Sequence, residues 1–396
     1  MKWNWKMWFG IFLIITIIPF IVALQTNSWW VCALSVGILF GFALQKGDLC
    51  GSSAMSEIIL FRDKSKIFGL WVAIVSSMFF FAILNLFGIV ELAPKKFIWA
   101  NSLVGGFIFG IGTVLGGGCI SGCLYKSASG NLNSMVALLT IPLGISAVDY
   151  GIIKSFHESL LKLSTPEALT LYSVLKLPYW LLVLIFIILT LALSLTKRKE
   201  QRDKSNRSEK SNLHSLITRP WRPWQAGIMI GFVGMLAWLS SLPTGRNYPL
   251  GVTHGVSYLY QFVIENNTVL VKSKQPSTTQ APNAALQTQT LNQAQPRKLN
   301  LWLMMLTLGL VIGAFLSSKM SNNFALLPKP PEQIIIALVG GFLTGVGAGL
   351  ATGCVIGNII SGWAMMSISM FIFGIATLLG NWLATYVYLI GLGKVK

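Results

Sequence analysis

Apolar runs long enough to cross about 30 Å of hydrocarbon recur along the chain. They lie near residues 7–24, 28–44, 67–90, 98–117, 131–153, 178–196, 224–241, 300–318, 333–353 and 364–391. Shorter pieces that mix apolar and polar positions fall near 50–61, 119–129 and 249–264. The first run follows Lys2 and Lys6, as in a secretory signal, but it is long enough to span and no A-x-A-like site follows. It is expected to be a retained helix. Residues 154–176 have the pattern of one or two amphipathic surface helices. The pattern predicts an all-α polytopic membrane protein with about nine to ten transmembrane helices plus short broken or re-entrant ones.

Two stretches interrupt this pattern. Residues 197–222 (KRKEQRDKSNRSEKSNLHSLITRPWR) hold nine Lys or Arg and three acids, which is how loops retained in the cytoplasm read. Residues 271–298, rich in Gln, Thr, Pro and Asn, cannot bury enough apolar area to order themselves and are expected to form a disordered loop without a chemical role. The chain thus divides into an N-terminal half (1–196), a basic cytoplasmic linker (197–223) and a C-terminal half (224–396) that contains the polar loop.

An internal repeat organises the two halves. Residues 105–122 read GGFIFGIGTVLGGGCISG and residues 340–357 read GGFLTGVGAGLATGCVIG, identical at nine of eighteen positions without a gap. The shared Phe, Leu and Cys take the match beyond a glycine bias, and Cys119 and Cys354 occupy the same place. A weaker match sets 46–53 (KGDLCGSS) against 246–253 (RNYPLGVT), aligning Lys46 with Arg246, Cys50 with Leu250 and Gly51 with Gly251. The repeats cover roughly 28–153 and 224–391. If the units at 28–61 and 98–129 behave alike, they contribute an even number of crossings, and the spans at 67–90, 131–153 and 178–196 add three. An odd total inverts one repeat relative to the other. Inverted repeats are a transporter signature, with the substrate site at the repeat interface near the midplane.

Composition narrows the function. The 396 residues are 54% hydrophobic and 11% charged, with mean hydropathy +0.67, whereas soluble domains are about a quarter charged. The formal net charge of +18 would suggest nucleic acid in a soluble protein. Here the basic residues lie between apolar runs, so the expected partner is the lipid bilayer and no nucleic acid. Acids are too rare in the apolar segments for a proton relay or a cation pump built on buried carboxylates. The five cysteines and three histidines (His157, His214, His254) form no CxxC pair and no zinc-spaced cluster. Neither a metal nor another cofactor is expected, and no enzymatic activity.

The candidate chemistry lies in the repeat. Glycines at 105, 106, 110, 112, 116, 117 and 118 clear one helix face for close packing. Three glycines in a row also make a poor helix interior, so a break is expected just before Cys119. A short helix starting there leaves its first N–H groups free and positive. The same holds after Gly353 at Cys354, and after Gly47 and Asp48 at Cys50. Gly118 and Gly353, directly ahead of two of the thiols, belong to the candidate site. Each thiol adds a weak S–H donor and a soft, polarizable sulfur. Lys46 and Arg246 would face opposite sides, either as basic lips that concentrate an anion or as interfacial snorkels. Cys32, within an apolar span, and Cys123, whose counterpart is Asn358, read as small buried hydrophobes. His254 follows the second-half counterpart of the Cys50 segment and reads as locally satisfied.

These motifs resemble the YeeE/YedE family of bacterial membrane proteins, specifically its thiosulfate-uptake transporters. The matching pieces are 41–50 (GFALQKGDLC), the block at 105–122, 244–253 (TGRNYPLGVT) and the block at 340–358. The resemblance implies thiosulfate import through an hourglass-shaped, inverted pseudo-symmetric protein of the bacterial inner membrane. It implies three cysteines that pass the ion on by transient S–H···S contacts, with Cys50 at the entrance and Cys119 and Cys354 at the centre. It also implies a cytoplasmic sulfurtransferase that accepts the cargo. Family members linked to selenium and other sulfur compounds make sulfite or a selenium species the alternative cargo. Neutral thiols are expected, because a thiolate would repel the dianion. A transmembrane thiol–disulfide carrier lacks a CxxC pair, and a soft-metal transporter is disfavoured by the positive charge. Cys32, Cys123 and the insert at 271–298 depart from the family pattern.

Overall fold

Without water to take up backbone hydrogen bonds, apolar runs of this length close as helices, and the computed structural model shows them doing so. It describes residues 5–165, 167–201, 217–264, 268–271, 297–326 and 330–391. The first half holds α1 (Trp5–Thr26), α2 (Trp29–Gly47), α3 (Gly51–Leu60), α4 (Ser65–Leu86) and α5 (Trp99–Leu115). It continues through α6 (Ile120–Ala128), α7 (Leu132–Asp149), α8 (Lys154–Leu161), α9 (Leu171–Leu175) and α10 (Tyr179–Gln201). The second half holds α11 (Pro223–Ser241), α12 (Thr253–Ile264), α13 (Leu301–Met320) and α14 (Pro331–Leu350). It ends with the π-helical α15 (Val355–Gly362) and α16 (Ile368–Ala384).

Among the described residues nine segments are long and apolar enough to cross a membrane, and α10 adds a shorter apolar stretch at Tyr179–Leu195. The chain is an all-α polytopic membrane protein. The amphipathic stretch at 154–176 is α8 and α9. Residues 202–216 of the basic linker and 272–296 of the polar loop lie outside the described residues. The polar loop's ends depart from the expected disorder. β1 (Thr268–Val271) and β2 (Arg297–Asn300) pair in parallel, Thr268 opposite Arg297 and Val271 opposite Asn300.

Packing repeats across the halves. α2 lies on α13 as α11 lies on α4, and α7 lies on α14 as α16 lies on α5. Two contacts pair an element with its own counterpart, α2 with α11 and α5 with α14. The α5–α14 pair is antiparallel. A Cβ on Gly105 would stand 2.7 Å from Ala351 N, while one on Gly116 would stand 3.3 Å from Gly340 C. Counterparts that run in opposite directions make the two repeats inverted. Lys46 and Arg246 accordingly lie at opposite ends of α13. Lys46 Nζ donates to Ser321 Oγ just past the end of α13, and the Arg246 guanidinium lies 4.9 Å from the ring of Trp302 at its start. A 20-residue helix separates these ends by about 30 Å.

Small residues make these crossings close enough for backbone to meet backbone. A side chain at Gly105 must push into Ala351 N and Gly347 O, 2.7 and 2.9 Å from its Cβ. Gly105→Val should therefore destabilise the protein by about 1–3 kcal/mol, read as a lowered Tm in detergent. Gly10→Ala, on a face of α1 with nothing within 4 Å of the new Cβ, should leave Tm unchanged.

Candidate functional site

All three expected helix breaks are present. α2 ends at Gly47 and α3 starts at Gly51, α5 ends at Leu115 and α6 starts at Ile120, and α14 ends at Leu350 and α15 starts at Val355. Cys50, Cys119 and Cys354 are the residues that cap the N-termini of α3, α6 and α15, each with extended backbone and no side-chain capping bond. The two inner breaks turn through the left-handed region, at Gly117 (φ +75°) and at its counterpart Thr352 (φ +53°). Glycine reaches that region freely and threonine does not.

Breaking a helix within apolar surroundings strands the carbonyls of its last turn, and each of the two inner breaks finds a lysine and a second side-chain donor. Asn358 Nδ2 donates to Ala351 O at 3.0 Å. In the other half Cys123 Sγ reaches Gly116 O at 3.7 Å and Gly118 O at 3.4 Å. Lys126 Nζ donates to Gly117 O at 2.9 Å and to Ser53 Oγ at 3.2 Å. Lys95 Nζ donates to Thr352 O at 2.7 Å and to Asn358 Oδ1 at 2.8 Å. Cys123 is buried as expected, yet it is a carbonyl donor that plays the part of Asn358 and not a plain hydrophobe. Gly353 leaves room for the other pair, since a Cβ there would lie 3.1 Å from Lys95 Nζ. A Cβ on Gly118 would lie 3.4 Å from Cys123 N.

The thiols are fully enclosed, with Cys50, Cys119 and Cys354 each 0% exposed. Cys50 Sγ and Cys119 Sγ stand 3.7 Å apart, and Ser121 Oγ lies 3.4 Å from Cys119 Sγ. Gly122 makes this possible, because a Cβ there would run into Cys50 Sγ. The second half approaches through Val355, whose Cγ1 lies 2.7 Å from a Cβ built on Gly51. Thus Cys50 and Cys119 meet directly, and Cys354 belongs to the break that adjoins α3 across the repeat interface. Cys32, on α2, is buried in the main core cluster.

The cations depart from expectation. Lys46 is 1% exposed and ties α2 to Ile217 O and Ser321 Oγ, so it is a structural fastening and not an open lip. Arg246 is held by the carbonyls of Tyr248 and Pro249 and lies over Trp302 and Tyr248. The two lysines at the breaks escaped the sequence reading. Lys126 had a signal, as a charge inside an apolar piece. Lys95 had none, because it comes from the loop before α5 and no spacing relates it to Thr352.

The two ends also differ in charge balance. Beside the first break, Lys66 pairs with Asp48 and Glu57, both at 2.6 Å, and Tyr125 donates to Asp48 at 2.8 Å. The aligned positions in the second half are Tyr248 and Ser257, which carry no charge. Neither Lys95 nor Arg246 forms an ion pair among the described residues. Both lie 5.5 Å from the Tyr248 ring. Burial pushes the Lys95 ammonium down to about 8. Among the described residues no group of three or more His, Cys, Asp or Glu could hold a metal ion.

Inverted repeats and helices broken at a shared interface define a membrane transport protein. The chain belongs to the Sulphur transport family, whose model matches residues 46–383, and is a multi-pass protein of the bacterial inner membrane. It is 26% identical over 358 residues to the thiosulfate transporter TsuA of Escherichia coli (strain K12), covering 89% of this chain and 93% of that protein. It is 28% identical to TsuA of Spirochaeta thermophila, covering 89% and 97%. A shorter match, 31% identical over 108 residues and about a quarter of each chain, joins it to the probable transporter YedE of Salmonella typhimurium.

The sulfur contact is open to a chemical check. Mild oxidation should link Cys50 to Cys119, seen by mass spectrometry as a joined peptide pair, with Cys354 left as a free thiol. A Cys119–Cys354 link in its place would contradict this pairing.

Proposed function

We propose that this protein imports thiosulfate into the cytoplasm along a route past Cys354, Cys119 and Cys50. The observation that carries the reading is the 3.7 Å approach of Cys50 Sγ and Cys119 Sγ, two thiols at the N-termini of two short helices. Thiosulfate is a dianion with one soft terminal sulfur. Helix N-termini and lysines favour its charge, and neutral thiols offer S–H donors and polarisable partners to its sulfur. None of these contacts is strong, as passage requires. Two relatives named as thiosulfate transporters, matched over 93% and 97% of their lengths, support the choice of cargo.

Charge supports the direction. The basic linker, with nine Lys or Arg in 197–222, returns at Ile217 to the Lys46 end of the molecule, and positive loops stay in the cytoplasm. Cys50, four residues beyond Lys46, then belongs to the exit. This reverses the place at the entrance that the family resemblance assigns to it. The cytoplasmic sulfurtransferase would take the ion beside Cys50.

Growth and uptake in a sulfur auxotroph without other importers test the reading. Cells carrying the protein should accumulate thiosulfate, and Cys119→Ala or Cys354→Ala should cut the rate by roughly tenfold or more at equal membrane levels. Cys32→Ala should transport normally. Full uptake by the Cys119 and Cys354 variants would end the thiol relay, and stronger competition by sulfite or selenite would change the cargo.

A further inference from the structure

Each half fastens the loop ahead of its first short helix to its second short helix, but with different groups. In the second half Tyr248 Oη donates to Gly357 O at 2.6 Å, and Ser361 Oγ donates to Leu250 O at 3.0 Å. Both bonds end on backbone carbonyls. In the first half Asp48 stands at the place of Tyr248 and Lys126 at that of Ser361. Asp48 accepts from the Tyr125 hydroxyl of α6 at 2.8 Å and from Lys66 at 2.6 Å. Lys126 donates to Ser53 Oγ of α3 at 3.2 Å. The fastening on the Lys46 side is thus made by side chains, with a carboxylate at its centre. A peptide carbonyl is fixed by its chain, whereas a carboxylate can turn away. The Asp48 side chain is already 58% exposed, so it loses little by doing so. Its partners stay behind, for Tyr125 is 3% exposed and Lys66 keeps Glu57 at 2.6 Å. The fastening also stands beside the sulfurs. Asp48 O accepts from Cys50 N at 3.2 Å, and Tyr125 lies on the helix that Cys119 caps. Both thiols are 0% exposed, so this arrangement is closed.

We infer that Asp48 and Tyr125 form a latch on the exit, closed by the carboxylate and opened by the dianion itself. The inference rests on the thiosulfate reading and deepens it by naming the residues that govern release. A phenol hydroxyl that donates to a carboxylate can donate in the same way to a sulfur oxyanion. A dianion beside the thiols also repels Asp48. Its arrival therefore weakens the bond that shuts it in. Asp48 turns to water, Tyr125 passes to the ion, and α6 parts from the loop ahead of α3. Once the ion has left, the hydroxyl returns to Asp48, and the carboxylate at the mouth repels cytoplasmic anions. The bond from Tyr248 to a peptide carbonyl holds no charge for an anion to repel. Release is thus gated at the Cys50 end, and the gate favours one direction.

Two measurements test this, and both look for a gain that a damaged protein does not produce. Cells preloaded with radiolabelled thiosulfate should lose it roughly tenfold faster through Asp48→Asn and through Tyr125→Phe than through the wild type, at equal membrane levels. Asp48→Glu, which keeps the charge, should retain the ion as the wild type does. In inside-out vesicles without thiosulfate, an impermeant maleimide should modify Cys50 roughly tenfold faster in Asp48→Asn and Tyr125→Phe, read by mass spectrometry. Cys354 should be modified no faster. Tyr125→Phe leaves the charge of Asp48 in place, so it separates the latch from repulsion alone. Should Asp48→Asn fail to reach the membrane, Tyr125→Phe decides by itself. Efflux less than about twofold above wild type, or Cys50 labelling no faster than in the wild type, overturns the latch. Wild-type cells that take up no thiosulfate overturn the function, and the labelling, which needs no cargo, still decides the latch.

Discussion

A helix interrupted inside a bilayer leaves carbonyls with no water to receive them, at a cost of several kcal/mol for each one unpaired. Everything in this site follows from meeting that cost. Asn358 and Cys123 reach the carbonyls of Ala351 and Gly116. Lys95 and Lys126 reach those of Thr352 and Gly117. The groups that stabilise the interruption are therefore the same groups that give it a positive field. The donors that the backbone requires thus leave positive charge at the breaks.

The glycine seams hold those donors in place. α5 and α14 meet backbone to backbone near Gly105 and Ala351, so the two breaks are fixed relative to one another with few side chains between them. Gly122 does the same at shorter range, leaving space in which two sulfurs meet. Polar side chains reinforce the frame where α3, α5 and α16 converge. Asn381 Nδ2 donates to Ser52 Oγ at 3.2 Å, and Ser56 Oγ donates to Asn381 Oδ1 at 3.0 Å.

Much of this was legible in the sequence. Apolar run length located the spans, and the glycine runs before Cys119 and Cys354 located two breaks, because both signals are local and act through the backbone. The identity of the cations was less legible. Lys46 and Arg246 aligned in the repeat, but burial against Ile217 and Trp302 turned them into fastenings. Lys95 lies in the loop between α4 and α5 and reaches Thr352 in the other half, so no periodicity within either half exposes it. Cys123 looked apolar because its carbonyl partners lie five and seven residues back, across a turn that composition alone does not reveal. The ends of the polar insert read as coil, yet β1 and β2 pair them across the insert, a contact between residues far apart in the chain.

One carbonyl in each half is served by a lysine, yet Lys126 comes from the helix after its own break and Lys95 from the other half, in the loop before α5. Shared ancestry of the two repeats cannot explain a cation drawn from unrelated positions. A protein built from two copies of the first half would gain a second Lys126 and a second Asp48, and its faces would become alike. A chain built from two copies of the second half would lose Lys95 and Lys126 together with Asp48 and Glu57. The asymmetry between the faces of this molecule is thus carried by a handful of side chains on an otherwise repeated backbone.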